Sequence, residues 1–265
     1  MELHAIKTGI VKINDDLARV LLDALEKQRL PIEDRDVLAI TSKVISTAEG
    51  RMVRLGDVVP SEKAKLFARE YSLRPEFAEL VLREADRVYG GVEKAVLTLK
   101  NGVMAANAGI DNKNAPDDYV VLWPADPKDS AGKIRKRIML ETGKNVAVLV
   151  VDSGLVPLRV GTTGLALAVA GFKPVRDWRG SDDLFGRKIL ITRHAIADDL
   201  ACAAHLLMGE AAETVPAVLV RGAPVEFSED VYGSADMMML PEDCIFMGTF
   251  NGKKDALPDV GKVAS

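Results

Sequence analysis

Cysteine is nearly absent: the chain holds Cys202 and Cys244 alone, and neither belongs to a C-x-x-C pair. That excludes a disulfide framework and a cysteine-built zinc site as organising features. Histidine is equally scarce. His4, His194 and His205 show no metal-ligand spacing, and His205 reads as a core or surface residue of a helix. Charge of one sign is not concentrated either, since the formal net charge is −4 and acidic and basic residues are scattered. A nucleic-acid partner would call for a gathered basic footprint, whereas a small anionic ligand needs a few Arg and Lys in one cleft. The longest apolar run near the middle, 164–172, is far too short to span a bilayer. Residues 1–7 carry no signal-peptide pattern, and Asp15 and Asp16 follow soon after. The expectation is a soluble, cytoplasmic protein with neither nucleic acid nor membrane as partner.

The familiar phosphate-binding strings are missing as well. No G-x-x-x-x-G-K-[ST] occurs, because the stretch 180–186 has the wrong spacing and is followed by Arg187. No G-x-G-x-x-G follows a strand pattern, so neither a P-loop nor a Rossmann site is supported. No Ser or Cys sits in a nucleophile-elbow pattern, and covalent catalysis is not indicated. Low-complexity blocks and solenoid-period repeats are also absent.

What is present is a large apolar fraction, 48% of 265 residues, enough for one large domain or two intimately packed ones. Asp15 is placed to cap a helix with Leu17, Val20, Leu21 and Ala24 on one face. Residues 36–41 read as a buried strand. Ser61 and Pro75 open two amphipathic helices, the second turning Phe77, Leu80 and Val81 inward. Asn101-Gly102 between 96–99 and 103–106 predicts a hairpin, and 119–123 a further strand. Ser130 is placed to cap a basic helix ending at Gly143. Residues 146–151, rich in Val, predict a strand buried on both faces. Strand-like 188–193, helical 198–208 and a strand at 217–220 complete the pass. A hairpin within a mixed order favours an α+β fold. Beyond about Gly248 the chain turns polar, and 249–265 is expected to be a disordered tail.

Three carboxylates end apolar elements beside small residues: Asp111 after 107–110, Asp152 before Ser153-Gly154, and Glu210 after Met208-Gly209. Hard oxygens that converge suit magnesium or manganese, which bridge nucleotide phosphates. Singly, each is equally well explained as a turn former, a cap or a solvated end, and spacing does not bring them together. Gly161-Thr162-Thr163-Gly164 either presents amides to phosphate or serves turns and close packing.

Taken in order, several segments resemble the coenzyme F-420-0:L-glutamate ligase family. They are Asp36-Val37-Leu38 through Ser42-Lys43-Val44-Ile45-Ser46-Thr47-Ala48-Glu49-Gly50-Arg51; 107–111 with Asn114; Asp126-Pro127 with Ser130-Ala131; and Asp152-Ser153. They continue through Asp177-Trp178-Arg179-Gly180, Asp183-Leu184-Phe185-Gly186-Arg187, Met208-Gly209-Glu210 with Pro216, and Arg221-Gly222. The resemblance runs over about residues 2–225. It implies a two-domain α+β monomer in an intertwined homodimer, with 1–248 forming the ligase unit from two interleaved subdomains. It also implies GTP- and metal-dependent amide formation between L-glutamate and a deazaflavin acceptor, with magnesium or manganese and room for a monovalent cation such as potassium. By the same resemblance Asp111 and Asp152 hold one metal, with Ser153 and Glu210 at a second. Thr8, Gly9, Ile10, Val11, Ser42, Lys43, Thr47, Asn114 and the run Met208, Gly209, Glu210, Ala211, Ala212, Glu213, Thr214 and Val215 then contact GTP. Lys43 and Arg159 are the candidate catalytic cations.

The sequence departs from the family where members carry Asp-Thr-x-Gly-Arg followed by an aromatic and an Arg. Here Leu155-Val156 replace Gly-Arg and Leu158 the aromatic, while Asp152, Ser153, Arg159 and Gly161 fit. Thr47 stands where a Lys is common, and the 7–11 loop matches loosely. Loss of an Arg and an aromatic touches acceptor recognition more than phosphoryl activation. That opens a pterin acceptor of the folate type as an alternative within the same chemistry. Outside that chemistry stand a nucleotide-binding paralogue without ligase activity and a metal-dependent nucleotide phosphatase.

Overall fold

A computed structural model describes residues 1–251; most of the expected tail lies outside the described residues. In chain order, β1 (Glu2–Ile6), α1 (Leu17–Lys27), β2 (Val37–Thr41) and α2 (Ser42–Ala48) come first. Next are β3 (Met52–Arg54), α3 (Glu62–Tyr71), α4 (Pro75–Glu84), β4 (Arg87–Val92), β5 (Ala95–Lys100), β6 (Val103–Ala106) and β7 (Tyr119–Val121). Then follow α5 (Pro127–Thr142), β8 (Ala147–Leu155), β9 (Thr162–Phe172), β10 (Arg176–Asp177), β11 (Arg193–His194) and α6 (Ile196–Met208). The described chain closes with β12 (Ala217–Arg221), β13 (Phe227–Gly233), α7 (Ser234–Met237) and α8 (Ile245–Asn251), whose last residues enter the segment read as tail. The fold is mixed α+β.

Six strands form the main sheet in the order β1-β12-β2-β8-β9-β13. Every pairing in it is antiparallel except β2 with β8. Alternation explains why these strands are apolar throughout. Leu38, Ile40, Val148 and Val150 point to one face, packing against Leu21 of α1, Ile45 of α2 and Ile138 of α5. Val37, Ala39, Leu149 and Val151 point to the other, covered by Leu200, Ala201 and Ala204 of α6. A strand covered on both faces has no solvent side on which to place polar residues. Each large aliphatic side chain so buried contributes about 1.5–3 kcal/mol. A separate cluster around Leu55, Leu80, Val81, Ile110, Val120 and Leu122 lies among α4, β7 and the segments beside them.

Local signals set most boundaries. Asn101 and Gly102 take φ of 50° and 80° at the β5–β6 turn, the left-handed pair a two-residue hairpin requires. The Ser61 hydroxyl caps α3, Pro75 opens α4, and Gly143 ends α5 with φ of 68°. Other expectations need correction. Asp16 caps α1, while the Asp15 carboxylate accepts from the Lys12 N–H one turn earlier. Asp126 caps α5, and Ser130 lies inside it, donating to Glu49 at 2.5 Å. Residues 188–192 form no strand. They make one bridge, Asp182 to Lys188, and isolated backbone bonds from Ile189 and Thr192 to 178–181, while the continuous ladder begins at Arg193–His194, against β10.

Candidate active site

The parallel pair β2 and β8 ends on one side of the sheet, with Thr41 opposite Val151 in the register. Chain leaving the carboxyl ends of parallel neighbours borders a natural crevice. Here it opens into a cleft of about 930 Å³. Its walls come from five separated stretches, 8–13, 41–47, 111–119, 151–153 and 205–216, together with Met52. The backbone groups at the start of α2 are organised by Thr41, whose hydroxyl accepts from the Lys43 N–H at 3.2 Å.

Of the residues singled out from sequence, Thr8, Gly9, Ile10, Val11, Lys43, Thr47, Asp111, Asn114, Asp152, Ser153 and Met208 through Ala212 line this cleft, as do Thr214 and Val215. Three do not. Ser42 is buried beneath it. Glu213 turns back to accept from the Ala211 N–H at 2.8 Å, its carboxylate packed against Gly209. Arg159 lies at the exposed tip of the β8–β9 hairpin, where its N–H closes a turn on the Val156 carbonyl. Arg159 is not among the residues that line the cleft.

Asp111 is delivered by a left-handed turn at Asn107–Gly109 and fixed by two backbone bonds to Val121. One of its oxygens accepts from the Lys43 ammonium at 2.7 Å, the other from the Lys113 N–H at 2.8 Å. Asp152 accepts from the Trp123 indole N–H. Burial pushes the Asp152 carboxyl up to about 6, with the charge of Asp111 adding, against the lowering effect of the Ser153 N–H, Trp123 and Lys43. Behind Trp123 stand the Lys100 ammonium, 5.6 Å from its ring centre, and Glu84, which accepts from Lys100 and Arg51.

Glu210 sits opposite. One oxygen accepts from the Thr162 hydroxyl at 2.5 Å and lies 2.9 Å from His205 Nε2, while the other accepts from the Lys113 ammonium at 3.1 Å. Burial pushes its carboxyl up, but Thr162, Lys113 and His205 outweigh that and hold it down at about 2. Gly164 explains how Glu210 comes so near the end of β8. A Cβ there would collide with the Ala201 carbonyl, so β9 and α6 approach more closely than side chains permit. Gly164 thus serves packing, and within 161–164 the group turned to the site is the Thr162 hydroxyl.

Sequence reasoning missed Lys113, Trp123, Thr162 and His205. Lys113 has a visible signal, a cation two residues after a candidate ligand. Trp123 and Thr162 acquire their roles only from partners far away in the chain, and His205 from the helix end that turns Glu210 back toward it.

The donor chemistry, carboxylates with a neighbouring hydroxyl, fits a hard divalent ion. Among the described residues no group of three or more His, Cys, Asp or Glu side chains is arranged to hold a metal by itself. Magnesium commonly takes one or two protein carboxylates and completes its shell with phosphates and water. One or two carboxylates at a time is what this cleft offers.

Comparison with known proteins gives a consistent picture. The profile of the family described as F420-0:Gamma-glutamyl ligase matches residues 5–222. A protein of Archaeoglobus fulgidus named Coenzyme F420:L-glutamate ligase is 39% identical over 230 residues, covering 86% of this chain and 90% of its own length. Proteins of the same name from Methanopyrus kandleri and Methanocaldococcus jannaschii are each 39% identical, over 217 and 198 residues. These cover 82% and 74% of this chain, and 84% and 79% of their own lengths.

Proposed function

Because the chain belongs to the F420-0:gamma-glutamyl ligase family, we propose that it joins L-glutamate to the carboxylate of the deazaflavin coenzyme its relatives are named for, using GTP. The observation that carries this reading is the single cleft. Candidate nucleotide-contacting and metal-ligating segments, spread from Thr8 to Val215, face one another across it.

A carboxylate resists attack by an amine because its charge must first be removed. Transfer of the γ-phosphoryl group from GTP to the acceptor carboxylate oxygen would give GDP and an acyl phosphate. The glutamate amine then adds to the carbonyl carbon, the bond to the phosphate oxygen breaks, a proton leaves the nitrogen, and amide and phosphate result. Asp111 and Asp152 would hold one magnesium or manganese, and Ser153 with Glu210 a second. Bound there, such ions neutralise charge on the β- and γ-phosphates. Lys43 enters the cleft beside Asp111 and can pair with the transferring phosphoryl. Thr8–Val11 and Met208–Val215 would flank the nucleotide. The apolar side chains of Val11, Val44, Val151, Met208 and Val215 exclude water from the lining, which protects an acyl phosphate from hydrolysis. Arg159, outside the cleft lining, is given no role in this scheme.

The smaller cluster around Leu80 and Val81 supports two interleaved subdomains. Self-association is supported by Leu158, Val160, Leu184, Phe185, Leu190 and Ile191, which all project into solvent. Apolar exposure on this scale marks an interaction surface. A pterin acceptor is the second reading, favoured by Leu155, Val156 and Leu158, where the resemblance expects an Arg and an aromatic.

The test is phosphate release from GTP with manganese, with and without glutamate, using the deazaflavin and dihydropteroate separately and identifying products by mass. A glutamyl adduct on the deazaflavin is the expected outcome. An adduct on dihydropteroate alone moves the assignment to the pterin. Nucleotide binding without turnover would indicate a non-catalytic paralogue, and release without any amine a phosphatase.

A further inference from the structure

Lys113 reaches Glu210 from the loop that follows Asp111, across nearly a hundred residues of sequence. Thr162 and His205, both on regular elements, engage one Glu210 oxygen, while the other faces Lys113. We propose that Lys113 is a built-in counter-cation, holding Glu210 until a divalent ion displaces it and then pairing with the phosphates of the nucleotide. This rests on the reading of Glu210 as a metal ligand given above.

Three observations carry it. The ion pair is exposed, with 56% of the Lys113 side chain and 38% of that of Glu210 open to solvent; such pairs are weak and exchange readily. Charge in the cleft is unbalanced, because Lys43 already pairs with Asp111 while, among the described residues, Asp152 makes no ion pair and accepts from Trp123. A divalent ion arriving at Glu210 therefore meets one ammonium of like charge, and repulsion drives it off. Lastly, the loop that carries Lys113 is held beside the cleft. Its neighbour Asn114 donates from Nδ2 to the Ala211 carbonyl at 2.7 Å, which ties this loop across to the far wall. An ammonium held at the mouth of a cleft that receives a polyphosphate is placed to pair with its oxygens.

Opposite effects on two ligands follow when the charge is removed. Lys113→Gln should bind Mn²⁺ without nucleotide about three- to tenfold more tightly, the scale expected for removing a unit charge near a divalent ion at a solvated site. The same variant should bind a non-hydrolysable GTP analogue with manganese more weakly by a similar factor, and Lys113→Arg should resemble the unsubstituted chain in both. Free Mn²⁺ measured by electron paramagnetic resonance and calorimetric titration of the analogue report binding independently of turnover. Equal Mn²⁺ affinity for Lys113→Gln and the unsubstituted chain would overturn the inference alone, as would weaker Mn²⁺ binding by the variant. No Mn²⁺ binding by the unsubstituted chain would overturn the metal reading along with it.

Discussion

Three consecutive residues ahead of Asp111 hold left-handed backbone: Asn107, Ala108 and Gly109, with φ of 52°, 56° and 72°. Such conformations disfavour a Cβ and cluster at functional sites. Asn107 is held by its side chain, which accepts from the Val96 N–H at 2.9 Å, and the buried Ala108 N–H donates to the Thr98 hydroxyl at 2.8 Å. Gly109 meets the flat face of Trp123, where any Cβ would enter the indole ring. Since Trp123 in turn bonds Asp152, one glycine governs two candidate ligands. Gly109→Ala should destabilise the protein by roughly 2–4 kcal/mol, from backbone strain plus overpacking. It should also lower Mn²⁺ affinity at temperatures where the variant is still folded. Denaturant unfolding and metal titration check the two effects, and full affinity in a folded variant would dissociate Gly109 from the site. Asp111 and Asp152 were accessible from sequence because their motifs match a family. Trp123 read from sequence as the end of a strand that in the structure stops at Val121, and its role comes from its indole partner Asp152, distant in the chain.

The helices and tight turns were the most legible elements, since a cap, a proline or an Asn-Gly pair acts within a few residues. Strand β9 was less so. It alternates Gly, Ala, Val and Leu without a polar face, and pattern alone does not distinguish such a run from a buried helix. At the start of α3 the local logic extends to an ion. Glu79 of α4 accepts from both the Ser61 hydroxyl and its N–H, and from Arg83. The Ser61 hydroxyl leads in holding the Glu79 carboxyl down at about 2, the Ser61 N–H and Arg83 adding to it. A depressed carboxyl stabilises the fold above its unfolded value near 4.5, and that contribution disappears as pH falls toward 2. Glu79→Gln should therefore lower stability at neutral pH by about 2 kcal/mol. The gap between variant and parent should close as pH falls from 4.5 to 2. Urea unfolding at several pH values measures it, and a gap independent of pH would remove the ionic explanation.

For the whole molecule, the exposed apolar side chains Leu184, Phe185, Leu190 and Ile191 between β10 and β11 are a feature that a single chain leaves unexplained. If Leu184 and Phe185 meet a second copy, the protein should run in light scattering at twice its 28.6 kDa chain mass. Leu184→Asp with Phe185→Asp should then return it to the monomer, whereas a monomeric parent at micromolar concentration would refute self-association. Sheet order has a different kind of consequence. The first strand of the chain, β1, pairs with β12 alone, and its register runs from Glu2 opposite Arg221 to Ile6 opposite Ala217. On the ribosome, β1 and the 8–13 loop emerge well before their sheet neighbour β12 and the 208–216 wall. The nascent chain thus carries only part of the cleft wall until β12 follows, and the pocket is complete only once β12 has emerged and β1 has docked beside it.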